Sequence, residues 1–508
     1  MNVGEKSDPV VVPEKISNNG AKVPAERLEE RTGPKGNGQR AAAVWTQSQV
    51  AASPGLLTVR QAAQRNKETR FSALLHHVDI PLLHQSYFAL KRRSAAGLDG
   101  VTWEAYGSEL DARLENLNRR IHKGSYRARP ARRVYIPKAD GSTRPLGIQC
   151  LEDKIVQQAV VFVLNAIYEP DFMGFSYGFR PGRGQHDALD AVQAGLYRKK
   201  INWVLDADIR KFFDSMSHEW MMRFLEHRIA DKRLLRLIRK WLTAGVQEDG
   251  QVIRSVKGTP QGAVISPVLA NIYLHYVFDL WVDTWRKRRA YGDVVVIRYA
   301  DDTVLGFQYE HDAYTFRQAL AGRLAKFGLD LHPDKTRLIQ FGRFASAKRR
   351  QRGLGKPETF EFLGFTHYCT RSRQNGWFKI ARVTSRKRLR AQLRAVKDAL
   401  RRRINRPIGE TGRWLRRVIQ GHMNYFAVPG NGERVSGFVF RVSRLWLKML
   451  RRRSQRHRMP WSRFAAIRNF FFPKVRTCIH NRCIVLTPEP EGGAQCVSSA
   501  RWDLCGGC

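Results

Sequence analysis

The sharpest change from apolar to polar along the chain falls at Arg298-Tyr299-Ala300-Asp301-Asp302, between Val294-Val295-Val296-Ile297 and Thr303-Val304-Leu305-Gly306-Phe307. β-Branched and aromatic residues suit strands and Asp suits turns, so the stretch predicts a β-hairpin with two carboxylates at its tip. Another apolar strand, Trp203-Val204-Leu205, runs into Asp206-Ala207-Asp208, and an amphipathic helix follows from about His218. Asp140-Gly141, between strand-like runs at 132–137 and 143–148, predicts a second hairpin. Helical spacing appears over 155–167, 268–281 and 311–327, and in Leu110, Leu114, Leu117 and Ile121. Leu74, Leu75, Ile80, Leu83 and Phe88 are candidate core of a helical stretch that opens near Phe71.

Beyond Arg386 the period stays helical. Leu389, Leu393, Val396, Leu400 and Ile404 form one stripe, Trp414, Val418 and Tyr425 a second, and Phe438, Val442, Leu445 and Met449 a third. Residues 1–65 mix Gly, Pro, Asn, Ser and charges without sustained periodicity and predict a flexible tail. The expected order is that tail, a helical extension over 66–130, an α+β region over 131–375, a helical domain over 386–474 and a second tail over 475–508.

Charge narrows the function. Lys and Arg number 89 against 45 Asp and Glu, a net charge of +44. Such an excess implies a polyanionic partner, nucleic acid or an acidic membrane face. No run of eighteen apolar residues exists for a spanning helix, and the N-terminus lacks a signal-peptide layout, with Glu5, Asp8 and Glu14 against a transit peptide. Cytoplasmic work on nucleic acid, in contact with the nucleoid when the substrate is DNA, is the expectation. Seven cysteines are too few and too scattered for a disulfide scaffold. Cys478, Cys483, Cys505 and Cys508 have spacings that read as a zinc site or as free thiols in a tail.

Adjacent anionic side chains beside a buried apolar hairpin call for a neutralising cation, and oxygen-only ligands favour Mg²⁺ or Mn²⁺. Alone, Asp301 and Asp302 read first as solvated turn residues; a third carboxylate at the end of the 203–208 strand changes that. Lys138 and Arg144 face each other across the predicted Asp-Gly hairpin, where two cations suit a triphosphate or simply decorate a basic surface. Gly174-Phe175-Ser176-Tyr177-Gly178-Phe179-Arg180 interleaves aromatics with Gly and Arg, a composition for stacking on bases or for packing in a core. In Gly258-Thr259-Pro260-Gln261-Gly262, Pro and Gly fix a turn ahead of a helix N-terminus and Gln261 can hydrogen-bond a base or sugar.

The strand ending in Asp-x₄-Phe, Tyr-x-Asp-Asp some ninety residues later, and the motifs between them resemble reverse transcriptases, specifically the reverse transcriptase/maturase proteins encoded by bacterial group II introns. The resemblance runs from about Leu75 to Lys474. It implies a right-hand polymerase with fingers and a ferredoxin-like palm over 131–375, followed by an all-α thumb/maturase domain. By resemblance, Asp208, Asp301 and Asp302 hold two Mg²⁺ ions. Asp208 is preferred to Asp206 because the sugar-gating aromatic lies five positions past the ligand, which makes it Phe213. Lys138, Arg144, Phe213 and Gln261 would take the incoming dNTP, and Lys335 would protonate departing pyrophosphate. Arg180 would contact the RNA template, and Arg386, Arg390, Arg394, Arg401, Arg402 and Arg403 would grip intron RNA. The implied activity is RNA-directed DNA synthesis on a DNA primer or target, with assistance to splicing and retrohoming. A reverse transcriptase of another retroelement or of host defence, and a splicing-only maturase, are the alternatives. The tail past Lys474 is too short for the His-Asn-His endonuclease that some members carry, so second-strand cleavage is not expected.

Overall fold

A computed structural model describes residues 54–137, 143–254, 256–372, 374–453 and 459–475. The chain divides at Ser385/Arg386 into two compact units.

The first unit is built around one helix. Helices α1 (Pro54–Arg65), α2 (Ile80–Ala89) and α3 (Leu110–His122) precede strands β1 (Ala131–Pro137) and β2 (Thr143–Ile148) and then helix α4 (Leu151–Tyr168), of which almost every residue is buried. Both α1 and α2 pack on α4. Residues 54–65 therefore do not belong to a tail: Leu56, Val59 and Ala63 recur on one helical face and bury against α4. Leu74, Leu75 and Leu83 are core as expected, whereas Phe88 is 59 % exposed, on the far side of α2 from its buried residues Leu82, Leu83, Ser86 and Tyr87.

Helix α5 (Gln185–Arg198) and strand β3 (Trp203–Asp208) follow, then helices α6 (His218–Glu226) and α7 (Lys232–Thr243) and the short strands β4 (Val246–Glu248) and β5 (Gln251–Ile253). Asp231 starts α7, one carboxylate oxygen accepting from the Arg233 and Leu234 amides and the other from those of Leu74 and Leu75. It caps one helix and ties it to a segment more than 150 residues away. The first sheet has the order β2-β1-β4-β5.

The predicted apolar helix at 268–281 is interrupted. Helix α8 (Ser266–Leu274) passes through a π turn at His275–Asp279 into helix α9 (Leu280–Arg288). The predicted hairpin forms as β6 (Val294–Tyr299) and β7 (Asp302–Phe307), then helix α10 (Glu310–Ala325) leads to β8 (Arg337–Gln340). These strands join β3 in a central sheet of order β6-β7-β3-β8, antiparallel throughout. β3 and β6 are separated by β7, the split β-α-β arrangement, with α10 packed on β3 and β7 and α5 on β6. A third sheet, β9 (Phe360–Phe362), β10 (Phe365–Arg371) and β11 (Phe378–Thr384), extends past residue 375, the predicted end of the α+β region.

The second unit contains α11 (Arg386–Arg402), α12 (Ile408–Phe426), α13 (Gly432–Arg451) and α14 (Trp461–Phe471). Trp446 is its largest fully buried side chain, its ring stacked on Phe472 and edge-on to Phe464. On α12 the buried stripe is Leu415, Ile419, Met423 and Phe426. The predicted Trp414, Val418 and Tyr425 lie one position away and are half-buried, and Ile404 falls beyond the end of α11. Among the described residues, no helix is long and apolar enough to cross a membrane.

Candidate active site

Register in the central sheet decides which acids meet. Along β3 and β7, Asp208 stands opposite Asp302 and Asp206 opposite Val304; along β6 and β7, Tyr299 stands opposite Asp302. Ala300 and Asp301 are left to make the turn, with Ala300 at φ +56°. Burial is the main force pushing the half-buried Asp301 carboxyl above its ordinary range, and the charge of Asp208 adds to it, while Arg144 and Lys335 pull the other way.

Lys335 lies 127 residues from Asp208 in sequence and donates from Nζ to its Oδ2 at 2.8 Å. That bond foremost, together with the charges of Asp208, Asp302 and Asp301, holds the ammonium above its usual range against partial burial. The connection is anchored by backbone: the His332 amide donates to the Asp208 carbonyl at 2.8 Å and the Arg210 amide to the Asp330 carbonyl at 2.8 Å. Asp206 lies two residues before Asp208 on the same side of β3. Its carboxyl is pushed up to about 7, chiefly by burial and then by Asp302, Asp208 and Glu361, although Arg337 stands 4.0 Å away.

A second group of residues closes on this one. The Gly258 amide donates to Met216 and the Thr259 amide to Phe213, so the Pro260-Gln261 turn rests on the Phe213 segment. At Gly258, φ is +82° and a Cβ would lie 2.7 to 2.8 Å from the carbonyl oxygens of Asp214 and Phe213, which excludes any other residue. Arg144 donates from Nε to Gln261 Oε1 at 2.7 Å, and the Gly147 amide donates to the Gln261 carbonyl at 2.7 Å. Arg144, Gln261 and Phe213 are thereby linked through one loop, and Arg144 acts electrostatically on Asp301. Lys138 lies outside the described residues.

Residues 136–367 match the family described as reverse transcriptase (RNA-dependent DNA polymerase). Protein YkfC of Escherichia coli (strain K12) is 35 % identical over 278 residues, covering 48 % of this chain and 71 % of YkfC. The chain belongs to the reverse transcriptase family. Within it the likeness is to intron-encoded proteins. The group II intron-encoded protein LtrA of Lactococcus lactis subsp. cremoris is 33 % identical over 222 residues, 43 % of this chain and 36 % of LtrA. Nuclear intron maturase 4, mitochondrial, of Arabidopsis thaliana is 32 % identical over 123 residues, 24 % of this chain and 15 % of that protein. The chain thus spans about a third of the length of LtrA.

Reverse transcriptases use divalent metal ions, and the donors here fit a hard one: three carboxylates, with neither thiol nor imidazole among them. Among the described residues, no group of three or more His, Cys, Asp or Glu side chains stands arranged to hold a metal ion. Paired carboxylates suit Mg²⁺, which is commonly held by one or two of them while water and substrate phosphates complete its shell.

One predicted contact residue of this reverse transcriptase is placed elsewhere. Arg180 is 3 % exposed and all its donors are taken, by the Glu169 carboxylate and by the carbonyls of Glu169, Met173 and Ser176. It is an internal brace. Phe175 and Tyr177 are likewise core, whereas Phe179, at φ +59°, is exposed. In the second unit Arg386, Arg390, Arg394, Arg401 and Arg402 are exposed along α11. Arg401 pairs with Asp398 at 3.4 Å, and Arg403 is half-buried with its guanidinium 4.6 Å from the Trp414 ring centroid. Cys478, Cys483, Cys505 and Cys508 lie outside the described residues.

Proposed function

We propose that this reverse transcriptase extends a DNA primer on an RNA template at Asp208, Asp301 and Asp302, and that it binds the RNA of a group II intron to assist splicing and retrohoming. The observation that carries the polymerase reading is the β3–β7 register, which brings a carboxylate from each strand together beside the Asp301 turn. On this reading the central sheet is a palm, the β1–β2 sheet belongs to the fingers, and residues 386–474 are the thumb/maturase domain.

Two divalent ions, Mg²⁺ or Mn²⁺, held by the three carboxylates would supply Lewis acidity at the primer 3′-hydroxyl and charge neutralisation on the triphosphate. The chain's own residues do the rest. Arg144, oriented by Gln261, binds the dNTP phosphates with Lys138, and the Gln261 loop carries the base and sugar over Phe213, which excludes a 2′-hydroxyl. As the primer 3′-hydroxyl gives up its proton to solvent and its oxygen bonds to the α-phosphorus, the bond to the bridging oxygen breaks and Lys335 gives its proton to pyrophosphate. The second unit supports the RNA-binding half of the proposal through its exposed α11 arginines.

Asp301→Asn tests the assignment. Primer extension should fall by about a thousandfold or more, with RNA affinity within about twofold of wild type. Extension at the normal rate would refute it.

A further inference from the structure

Arg298 ends the apolar run of β6 and is 1 % exposed. All five of its N–H donors are spent. Nε and Nη2 donate to the two carboxylate oxygens of Asp279 at 2.7 and 2.6 Å, and Nη2 also donates to Ser176 Oγ at 2.7 Å. Nη1 donates to Asn271 Oδ1 and to the Ala300 carbonyl, both at 3.1 Å. One guanidinium thus ties β6, the 174–180 loop, α8 and the π turn to the residue that precedes Asp301.

The π turn explains how two helix residues reach one guanidinium. Positions 271 and 279 would stand about 80° apart on a regular α-helix of 3.6 residues per turn. An extra residue in one turn takes back most of that rotation, so Asn271 and Asp279 point the same way. The receiving end is equally specific. Ala300 has φ +56°, a left-handed conformation that residues bearing a Cβ adopt at a cost. Asn271 Nδ2 donates to the Gly178 carbonyl at 2.8 Å, and a Cβ on Gly178 would lie 2.3 Å from the Ala300 nitrogen. The backbone turn is therefore closely met by Gly178 and held by Arg298.

We propose that Arg298, oriented by Asp279, is a positioning residue for nucleotide addition, holding Ala300 left-handed so that Asp301 is presented to Asp208. The inference rests on the polymerase reading above. A buried ion pair is weak evidence for stability, since apolar replacements often match it. Here its five-way geometry ends on the backbone of the catalytic turn, which is a task of placement.

The test is primer extension on an RNA template with Arg298→Lys, the double variant Arg298→Lys/Ala300→Gly, and Asp301→Asn as control. Lys keeps the charge opposite Asp279 but cannot reproduce the fork. Arg298→Lys should bind primer–template within about twofold of wild type, lose about tenfold in kcat and need several times more Mg²⁺ for half-maximal rate. Adding Ala300→Gly should recover most of both losses, because glycine takes positive φ freely. A role confined to stability would lower the melting temperature, leave the Mg²⁺ requirement unmoved and show no recovery, and that result overturns the proposal. Should Arg298→Lys fail to fold, Asn271→Ala reads the same two quantities with an expected shift of about threefold, and no shift overturns it equally. Wild-type kcat and Mg²⁺ requirement in Arg298→Lys, with Asp301→Asn inactive, would end this proposal and leave the polymerase reading standing. A wild-type protein inert on RNA templates sinks both.

Discussion

The two units use the same side chain in opposite ways. In the first, Arg180, Arg228 and Arg298 are each at most 3 % exposed and each meets a carboxylate, Glu169, Asp171 and Asp279 respectively. In the second, 25 Lys and Arg face three Asp and Glu between residues 386 and 475, and the α11 arginines stand in solvent. A buried cation must be paired, so in the first unit arginine fixes backbone geometry. An exposed single-sign face repels itself until a polyanion arrives, so in the second unit arginine is available for one. The total of 89 Lys and Arg is therefore no guide to where nucleic acid is held, because some of them are paired inside the first unit.

The comparison can be broken most severely in the core beneath the acids. Phe307, fully buried on β7 opposite Trp203, should cost about 3–5 kcal/mol when changed to Ala. Chemical denaturation should show that loss in the first unit, with amide protection in α12 and α13 unchanged; loss of protection in both would mean that the units do not unfold separately. Next comes an arginine contrast. Arg180→Gln strands the Glu169 carboxylate and should destabilise by about 3–5 kcal/mol without changing the salt dependence of RNA binding. Changing Arg386, Arg390 and Arg394 together to Gln should leave stability within about 0.5 kcal/mol. The same change should lower the slope of log affinity against log salt by roughly 2 to 3. Equal salt slopes for wild type and the triple variant would remove α11 from the RNA surface.

The smallest effect is a pH dependence in the second unit. Burial lowers the imidazole of His422, which stacks on Phe438 and bonds Gln392, to about 4. An unfolded histidine titrates near 6.5, so between about 6.5 and 4 the unfolded chain takes up a proton that the folded one refuses. Stability must then fall as the pH drops through that window, by at most about 1.4 kcal/mol per pH unit from this group. His422→Phe should flatten that acid-side slope in hydrogen exchange of α12, whatever it does to stability at neutral pH. Identical slopes in the two proteins would show that His422 is not held neutral.

Much of this is legible in the sequence. The β6–β7 hairpin, β3 ending in acids, and the helices near 155–167 and 311–327 follow from alternation, helical spacing and turn chemistry. The missed features have physical reasons. Phe88 lies on the wrong side of a helix whose apolar residues nearly encircle it, so periodicity could not choose a face. The α12 stripe was displaced by one position because Trp414 and Tyr425 are amphipathic and sit at the margin of the buried face. The π turn leaves the apolar run at 268–281 unbroken, so periodicity could not show it. Arg180 read as a nucleic-acid contact because an Arg beside aromatics and glycines looks alike whether it meets phosphate or Glu169.

By itself the sequence determined the kinds of elements, their order, and which acids could end a strand or occupy a turn, because these depend on side-chain period and on neighbours a few residues away. Only the tertiary structure decided that Asp208 stands opposite Asp302, that Lys335 reaches Asp208, that Arg144 meets Gln261, and that Arg298 is an internal strut. Those are pairings across 19 to 127 residues of chain. Such contacts come from sheet register and helix packing, which many distant residues settle jointly and no local pattern encodes.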